Sequence, residues 1–268
     1  MSEAAFFDTN ASADGLRDRS RRAPKKRPRA TFLGVVGEIL ITLGAVTLLF
    51  VAWQLWIGDI IYGAERNAAG QELSEQWAQE YEPPATTPTP SEDGDDAPAT
   101  ADPVILSEPA DGEIFANMYV PRFGDDYVVP IAGGVTRETT LDPIGIGHYP
   151  GTAMPGEEGN FAVAAHRTTY GAPFNAIADL HVGDAIVVEV EEGWYTYRFR
   201  TLEYVTPSEV EVLLPVPQAP DVPAGGNYIT MTSCSPMYSL AERIVGYGLF
   251  ESFTPRSEGP PTSLTEGV

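Results

Sequence analysis

The sequence holds one cysteine, Cys234, three histidines, and no lysine after Lys26. A single thiol cannot close an intrachain disulfide, so the sulfur is kept either as a buried apolar filler or for its reactivity. Beyond Gly58, eight arginines face thirty-three Asp and Glu residues. A surface that acidic repels polyanions, which excludes nucleic acid as a partner and disfavours anionic lipid headgroups. Internal repeats are absent, and long apolar runs are absent save one near the N-terminus. The 268 residues leave room for one domain of ordinary size plus appended segments.

What basic charge exists is concentrated at the start: residues 1–30 carry eight of the sixteen Lys and Arg. The one apolar run follows, nineteen residues from Ile39 to Ile57, which Thr31 to Gly37 can extend. At about 1.5 Å per residue this suffices for a hydrocarbon core of roughly 30 Å. A span over 31–58 with positive charge before it predicts a cytoplasmic N-terminus and an external body, with Trp53 and Trp56 at the outer interface. The run exceeds the apolar region of a cleaved signal peptide, and no small-x-small exit follows it. Glu38 is tolerable because it lies toward the cytoplasmic end.

After the span, Ile61, Ala64, Ala68, Leu73, Trp77 and Tyr81 recur at helical spacing, which predicts a helical stalk over 59–82, weakened near Gly70. Residues 83–109 are rich in Pro, Thr and acids and read as a disordered linker; the tail 255–268 reads likewise. Between them, 110–254 is strand-rich. Strands are expected over Gly112–Val120, Asp126–Ile131, Asn160–His166, Ala185–Val190, Trp194–Val205, Tyr228–Ser233 and Arg243–Phe250, with a short helix over Thr136–Leu141 ended by Asp142-Pro143. Many short strands at this spacing indicate a mainly β fold, a closed or nearly closed barrel.

Strand parity selects the groups that can do chemistry. On the run ending at Cys234, Ile229 and Met231 share a core face, whereas Tyr228, Thr230, Thr232 and Cys234 share the polar one. Pro236 cannot continue a ladder, so the sulfur belongs at a rim. A thiol is only a few per cent ionised at neutral pH and needs a basic or cationic neighbour to become a strong nucleophile. His166, after the small Ala162 and Ala164, suits the acid and base role, and Arg243 suits a developing oxyanion. Taken singly, each of these residues is more often structural than catalytic. His148, in a glycine-rich loop, is a second candidate for the cleft, and His181 reads as an exposed turn residue.

Together these segments resemble the sortases, membrane-anchored cysteine transpeptidases, and within them the actinobacterial class E branch. The resemblance rests on Thr230-Met231-Thr232-Ser233-Cys234, on Arg243-Ile244-Val245-Gly246, on Ala165-His166-Arg167-Thr168-Thr169-Tyr170-Gly171-Ala172-Pro173-Phe174, and on His148 through Gly156 with Gly159-Asn160-Phe161. It covers about Gly112 to Phe253. Ala165 stands where the family has glycine, and Ser233 where it has threonine. The resemblance implies an eight-stranded sortase β-barrel with short helices, behind the transmembrane helix and stalk. It implies cleavage of the Thr–Gly bond in a C-terminal sorting signal of Leu-Ala-x-Thr-Gly or Leu-Pro-x-Thr-Gly type, with Cys234, His166 and Arg243 as catalytic residues. Tyr149, Thr232 and His148 are the expected substrate-binding residues. The partners implied are surface proteins bearing such a signal and a cell-wall precursor or pilin amine as acceptor. No cofactor is implied, and calcium dependence is left open.

Two other classes compete. Peptidases of the NlpC/P60 type place cysteine before histidine, opposite to the order here, and L,D-transpeptidases carry a Ser-His-Gly-Cys element that this chain lacks. A non-catalytic anchored scaffold fits the acidic surface and linker equally well, but not the joint occurrence of Cys, His and Arg in matching contexts. A pilin-polymerising role is a further alternative within the family. The C-terminus, Ser263 to Val268, has no apolar tail and basic end, so the chain is not expected to be a sorting substrate itself.

Overall fold

The computed structural model describes residues 31–53, 57–81 and 102–265. The basic segment 1–30, Trp56, most of the expected linker and residues 266–268 lie outside the described residues. The chain divides into two compact units, Met1–Thr47 and Leu48–Val268.

The N-terminal apolar run forms helix α1, Phe32–Ala52, with no buried residue. Among the described residues it is the one helix long and apolar enough to cross a membrane. Trp53 follows it and is exposed.

The second unit comprises helix α2 (Gly58–Glu80) and eight strands: β1 (Ile114–Tyr119), β2 (Val128–Gly133), β3 (Ile146–His148), β4 (Gly159–Ala165), β5 (Ala185–Val190), β6 (Gly193–Val205), β7 (Asn227–Ser235) and β8 (Glu242–Pro255). They close into a barrel in the order β1-β2-β3-β4-β7-β8-β6-β5. The β2–β3 and β4–β7 pairs are parallel and the others antiparallel. Strand alternation fills the interior: Ile186, Val188 and Val190 of β5 meet Tyr195, Tyr197 and Phe199 of β6, with Phe161, Val163, Ile229, Met231 and Ile244 beside them. The helix expected over Thr136–Leu141 is a single π-helical turn, Arg137–Leu141.

Several boundaries differ from the sequence reading, each for a physical reason. Helix α2 occupies the stalk region but lies on the barrel. Asn117 Nδ2 donates to the Gly70 carbonyl at 2.9 Å, and a Cβ at Gly70 would come within 2.7 Å of the Val128 oxygen. Gly70 therefore marks a close approach, not a weak point. Residues 102–109 also belong to the domain: Leu106 packs on the core, the Tyr195 hydroxyl donates to the Val104 carbonyl, and Glu108 Oε1 accepts from Gly151 N at 2.7 Å.

The described part of the expected tail, through Thr265, packs on the barrel. Glu189, fully buried on the outward side of β5, requires a counter-ion, and Arg256 supplies it at 2.9 Å. The Arg256 guanidinium lies 4.6 Å from the Trp194 ring centroid and 5.8 Å from that of Trp77 on α2. Ser74 of α2 and Tyr119 of β1 donate to the same carboxylate. Leu264 then covers Ala185, Val187 and Trp194.

Candidate active site

Cys234 is the penultimate residue of β7, and its register partner on β8 is Arg243. Directly opposed antiparallel residues project to the same side with Cβ atoms about 5 Å apart. On the other flank, parallel β4 pairs with β7 up to Ala164 opposite Thr232. Two residues further in that register, His166 falls level with Cys234. The backbone register thus forms one row of positions: His166 one residue past the end of β4, Cys234 on β7 and Arg243 on β8. Parity carries Cys234, Thr232 and Thr230 outward, while Ile229, Met231 and Ser233 point inward, the Ser233 hydroxyl donating to the Ala165 carbonyl at 2.8 Å. The thiol is free and partly exposed.

The groups around this row are fixed by several bonds. His166 Nε2 lies 2.7 Å from Asp142 Oδ1, and the ring stacks on Tyr170 at 5.3 Å. With an ionised carboxylate as acceptor, Nε2 carries the proton and Nδ1 is left as the basic nitrogen. Arg243 donates from Nη1 to the carbonyls of Leu240 (3.2 Å) and Glu242 (2.9 Å), leaving Nε and Nη2 for another acceptor. Behind the row, buried Arg167 donates from Nε to Asn175 O at 2.9 Å and from Nη1 to the carbonyl of Cys234 at 3.5 Å. Sequence reasoning gave no role to Asp142, read only as a helix stop, or to Arg167.

Tyr149 reaches the same surface from the turn after β3. Its hydroxyl meets Thr232 Oγ1 at 3.0 Å, and Thr232 is otherwise covered, donating to the Val163 carbonyl at 3.3 Å. The floor beside it is a second apolar cluster, Val205, Val212, Val245 and Tyr247. The β6–β7 connection is tied down over that floor by Asn160, whose Nδ2 donates to the carbonyls of Val212 and Leu214 at 3.0 and 3.1 Å.

His148 is not part of this surface, contrary to the sequence expectation. It ends strand β3, is completely buried, and stacks on Phe161 at 5.3 Å inside the barrel. Its Nε2 lies 3.1 Å from the Ala153 carbonyl and 3.0 Å from Thr152 Oγ1, so it braces the turn that presents Tyr149. Burial pushes its pKa below the ordinary imidazole value, which keeps the ring neutral. His181 is exposed in a turn, as expected.

The closed eight-stranded barrel has the architecture of the sortase fold, and comparison with known proteins makes the same assignment. The sortase domain family matches residues 118–250. Two curated relatives come from Streptomyces coelicolor. Sortase SrtE1 is 36% identical over 252 residues, a match covering 91% of this chain; the chain spans 65% of the length of that relative. Sortase SrtE2 is 31% identical, with 91% of this chain and 92% of the relative covered. Among solved structures, sortase E1 from S. coelicolor with a tripeptide in its active site superposes with a TM-score of 0.54 at 37% identity, covering 58% of this chain and 99% of that one. The chain belongs to the sortase family, and its relatives place it in the class E branch.

Proposed function

We propose that this chain is a membrane-anchored cysteine transpeptidase that cleaves the Thr–Gly bond of a C-terminal sorting signal and passes the acyl group to an amine at the cell wall. The single observation that carries the reading is the backbone register that pairs Cys234 of β7 with Arg243 of β8, with His166 just past the end of the neighbouring strand β4.

The chemistry follows from that row. The Cys234 sulfur gives its proton to His166 Nδ1 and attacks the threonine carbonyl carbon. The free nitrogens of Arg243 stabilise the oxyanion that forms. His166 then delivers the proton to the departing glycine nitrogen as the C–N bond breaks, which leaves a thioacyl enzyme. The acceptor amine attacks this thioester, and His166 takes its proton while sulfur leaves. The cycle as written needs no cofactor. A pilin lysine would serve as acceptor by the same steps.

Tyr149 and Thr232, hydroxyl to hydroxyl along the floor, are proposed to line the pocket for the second position of the signal, where class E enzymes are expected to take Ala over Pro. Helix α1, preceded by the basic segment, is proposed as the anchor, with the barrel on the external side. The test is to incubate the protein with Leu-Ala-x-Thr-Gly and Leu-Pro-x-Thr-Gly peptides and weigh the products. An adduct on Cys234 equal in mass to the peptide acyl group is expected. Simple binding without any covalent species would favour a scaffold instead.

A further inference from the structure

The hydrogen bond made by the His166 ring goes to Asp142, a residue 24 positions earlier that immediately follows the π-helical turn. Three features show that this carboxylate is held in place from outside the row. First, the Asp142 carbonyl accepts from Arg66 Nη2 at 2.6 Å, and the Ile144 carbonyl accepts from Arg66 Nε at 3.1 Å. Arg66 belongs to α2 and is buried. Second, its guanidinium leaves no room for side chains on either side. A Cβ at Gly145 would come within 2.9 Å of Arg66 Cδ, and one at Gly171 within 2.6 Å of Arg66 Nη1. Third, the same face of α2 carries Tyr62, one turn earlier, whose ring lies 5.8 Å from that of Tyr170. Tyr170 is the ring that stacks on His166. Asp59, on the first turn of α2, accepts from Gly171 N at 3.4 Å. One helix face therefore touches both supports of the imidazole, the carboxylate segment and the stacked ring.

We propose that Asp142 is the positioning residue of His166, and that α2 is the element that keeps Asp142 in register with it. The inference rests on the transpeptidase reading above for its role in turnover. The carboxylate accepts Nε2–H, which fixes the tautomer and the ring plane so that Nδ1 is the nitrogen presented to sulfur. The proton travels from Cys234 Sγ to His166 Nδ1 and on to the leaving nitrogen, and Asp142 remains ionised throughout. The exposed Arg137, 3.4 Å from Asp142 Oδ1, adds little to this. Helix α2 is thus part of the apparatus that orients the histidine, not a spacer.

The experiment compares the wild-type chain, retaining α2, with Asp142→Asn, Asp142→Glu and Arg66→Met. Nitrogen-15 spectra of the histidines, with His166 assigned from the His166→Ala variant, report the tautomer directly. Iodoacetamide labelling of Cys234 and peptide turnover report the consequence. In Asp142→Asn the His166 signals are expected to leave the Nε2–H pattern, while kcat falls about 10- to 100-fold and KM changes less than about twofold, a smaller loss than the roughly 10²- to 10⁴-fold of the acid–base group itself. Asp142→Glu is expected to recover part of both signals. Arg66→Met is expected to give a mixed tautomer pattern and a several-fold loss of kcat.

An unchanged tautomer in Asp142→Asn overturns the assignment of Asp142, even where activity drops through lost stability. An unchanged tautomer in Arg66→Met overturns the part given to α2. Should the wild-type chain form no peptide adduct, the transpeptidase reading fails, and the spectra and the labelling rate still decide the role of Asp142.

Discussion

Tyr149 and Thr232, separated by 83 positions in the chain, meet hydroxyl to hydroxyl at 3.0 Å, and Thr232 stands two residues before Cys234 on the same face of β7. The contact joins the turn after β3 to the strand that bears the thiol, so it fixes the tyrosine ring against that strand, and on the proposed function this ring forms a wall of the peptide pocket. Replacing Tyr149 by Ala removes a large rigid ring from that wall. The expected outcome is a fall of about tenfold in the ratio of kcat/KM for the Leu-Ala-x-Thr-Gly peptide over the Leu-Pro-x-Thr-Gly peptide, roughly 1.4 kcal/mol of discrimination. An unaltered ratio in competition assays would remove Tyr149 from the pocket.

Cys234 is partly exposed and makes no contribution to the barrel interior. Cys234→Ala should abolish the thioacyl adduct while shifting unfolding stability by less than about 1 kcal/mol. Intact mass spectrometry after peptide incubation, together with thermal melting, checks both halves. Residual transpeptidation by this variant would mean that another nucleophile acts.

The two buried or half-buried histidines should separate cleanly. His166→Ala should lower kcat by about 10²- to 10⁴-fold with little loss of stability. His148→Ala should cost about 1–3 kcal/mol of stability, because it empties a space beside Phe161 and frees the Thr152–Ala153 turn, with a far smaller loss of turnover. Comparable losses of kcat in the two variants would show that the base is misassigned.

His148 also predicts a pH dependence. The unfolded chain protonates this ring near the ordinary value of 6.5, whereas burial holds the folded value lower. Between the two values the unfolded state binds the extra proton, so stability falls as the pH falls through that window and is complete above it. Denaturant titrations on either side of the window should show a shallower slope against pH for His148→Gln than for wild type. Parallel slopes would place the ring in a more solvated setting than the fold indicates.

The buried pair of Glu189 and Arg256 ties the segment after β8 to the barrel. Arg256→Ala leaves a carboxylate without its cation and should destabilise the domain by about 3–5 kcal/mol. Truncation before Arg256 should do the same, measured by urea unfolding of the two variants beside wild type.

Much of the barrel was legible in the sequence because its longer strands alternate. Ala185 to Val190 and Tyr195 to Phe199 showed which side faced inward, and β5 and β6 follow that parity. Strand β3 was not legible: three residues are too few for a period, and Gly145 and Gly147 beside His148 read as loop. In the fold a Cβ at Gly147 would meet the Gly134 carbonyl at 2.2 Å, so that glycine marks two backbones in close approach. The strand positions of Cys234, His166 and Arg243 could be read because each lies at or just past one end of a recognisable strand. Asp142 could not, because its carboxylate reaches His166 through a turn whose shape depends on Arg66, and no spacing rule links those three positions. The tail was misjudged for a similar reason. Its composition is polar, but one arginine within it answers a buried acid that sequence cannot pair.

The barrel closes on itself, so β4, β7 and β8 each have a strand neighbour on both sides and none is the open edge of a sheet. An incoming extended peptide has no vacant ladder to join, and cannot be captured by strand addition as an open sheet captures one. Its grip has to come from side chains on the cylinder wall and from the connections folded over it. On the proposed function, selectivity for one signal over another would be rewritten by single residues such as Tyr149, without disturbing the hydrogen-bonded frame beneath.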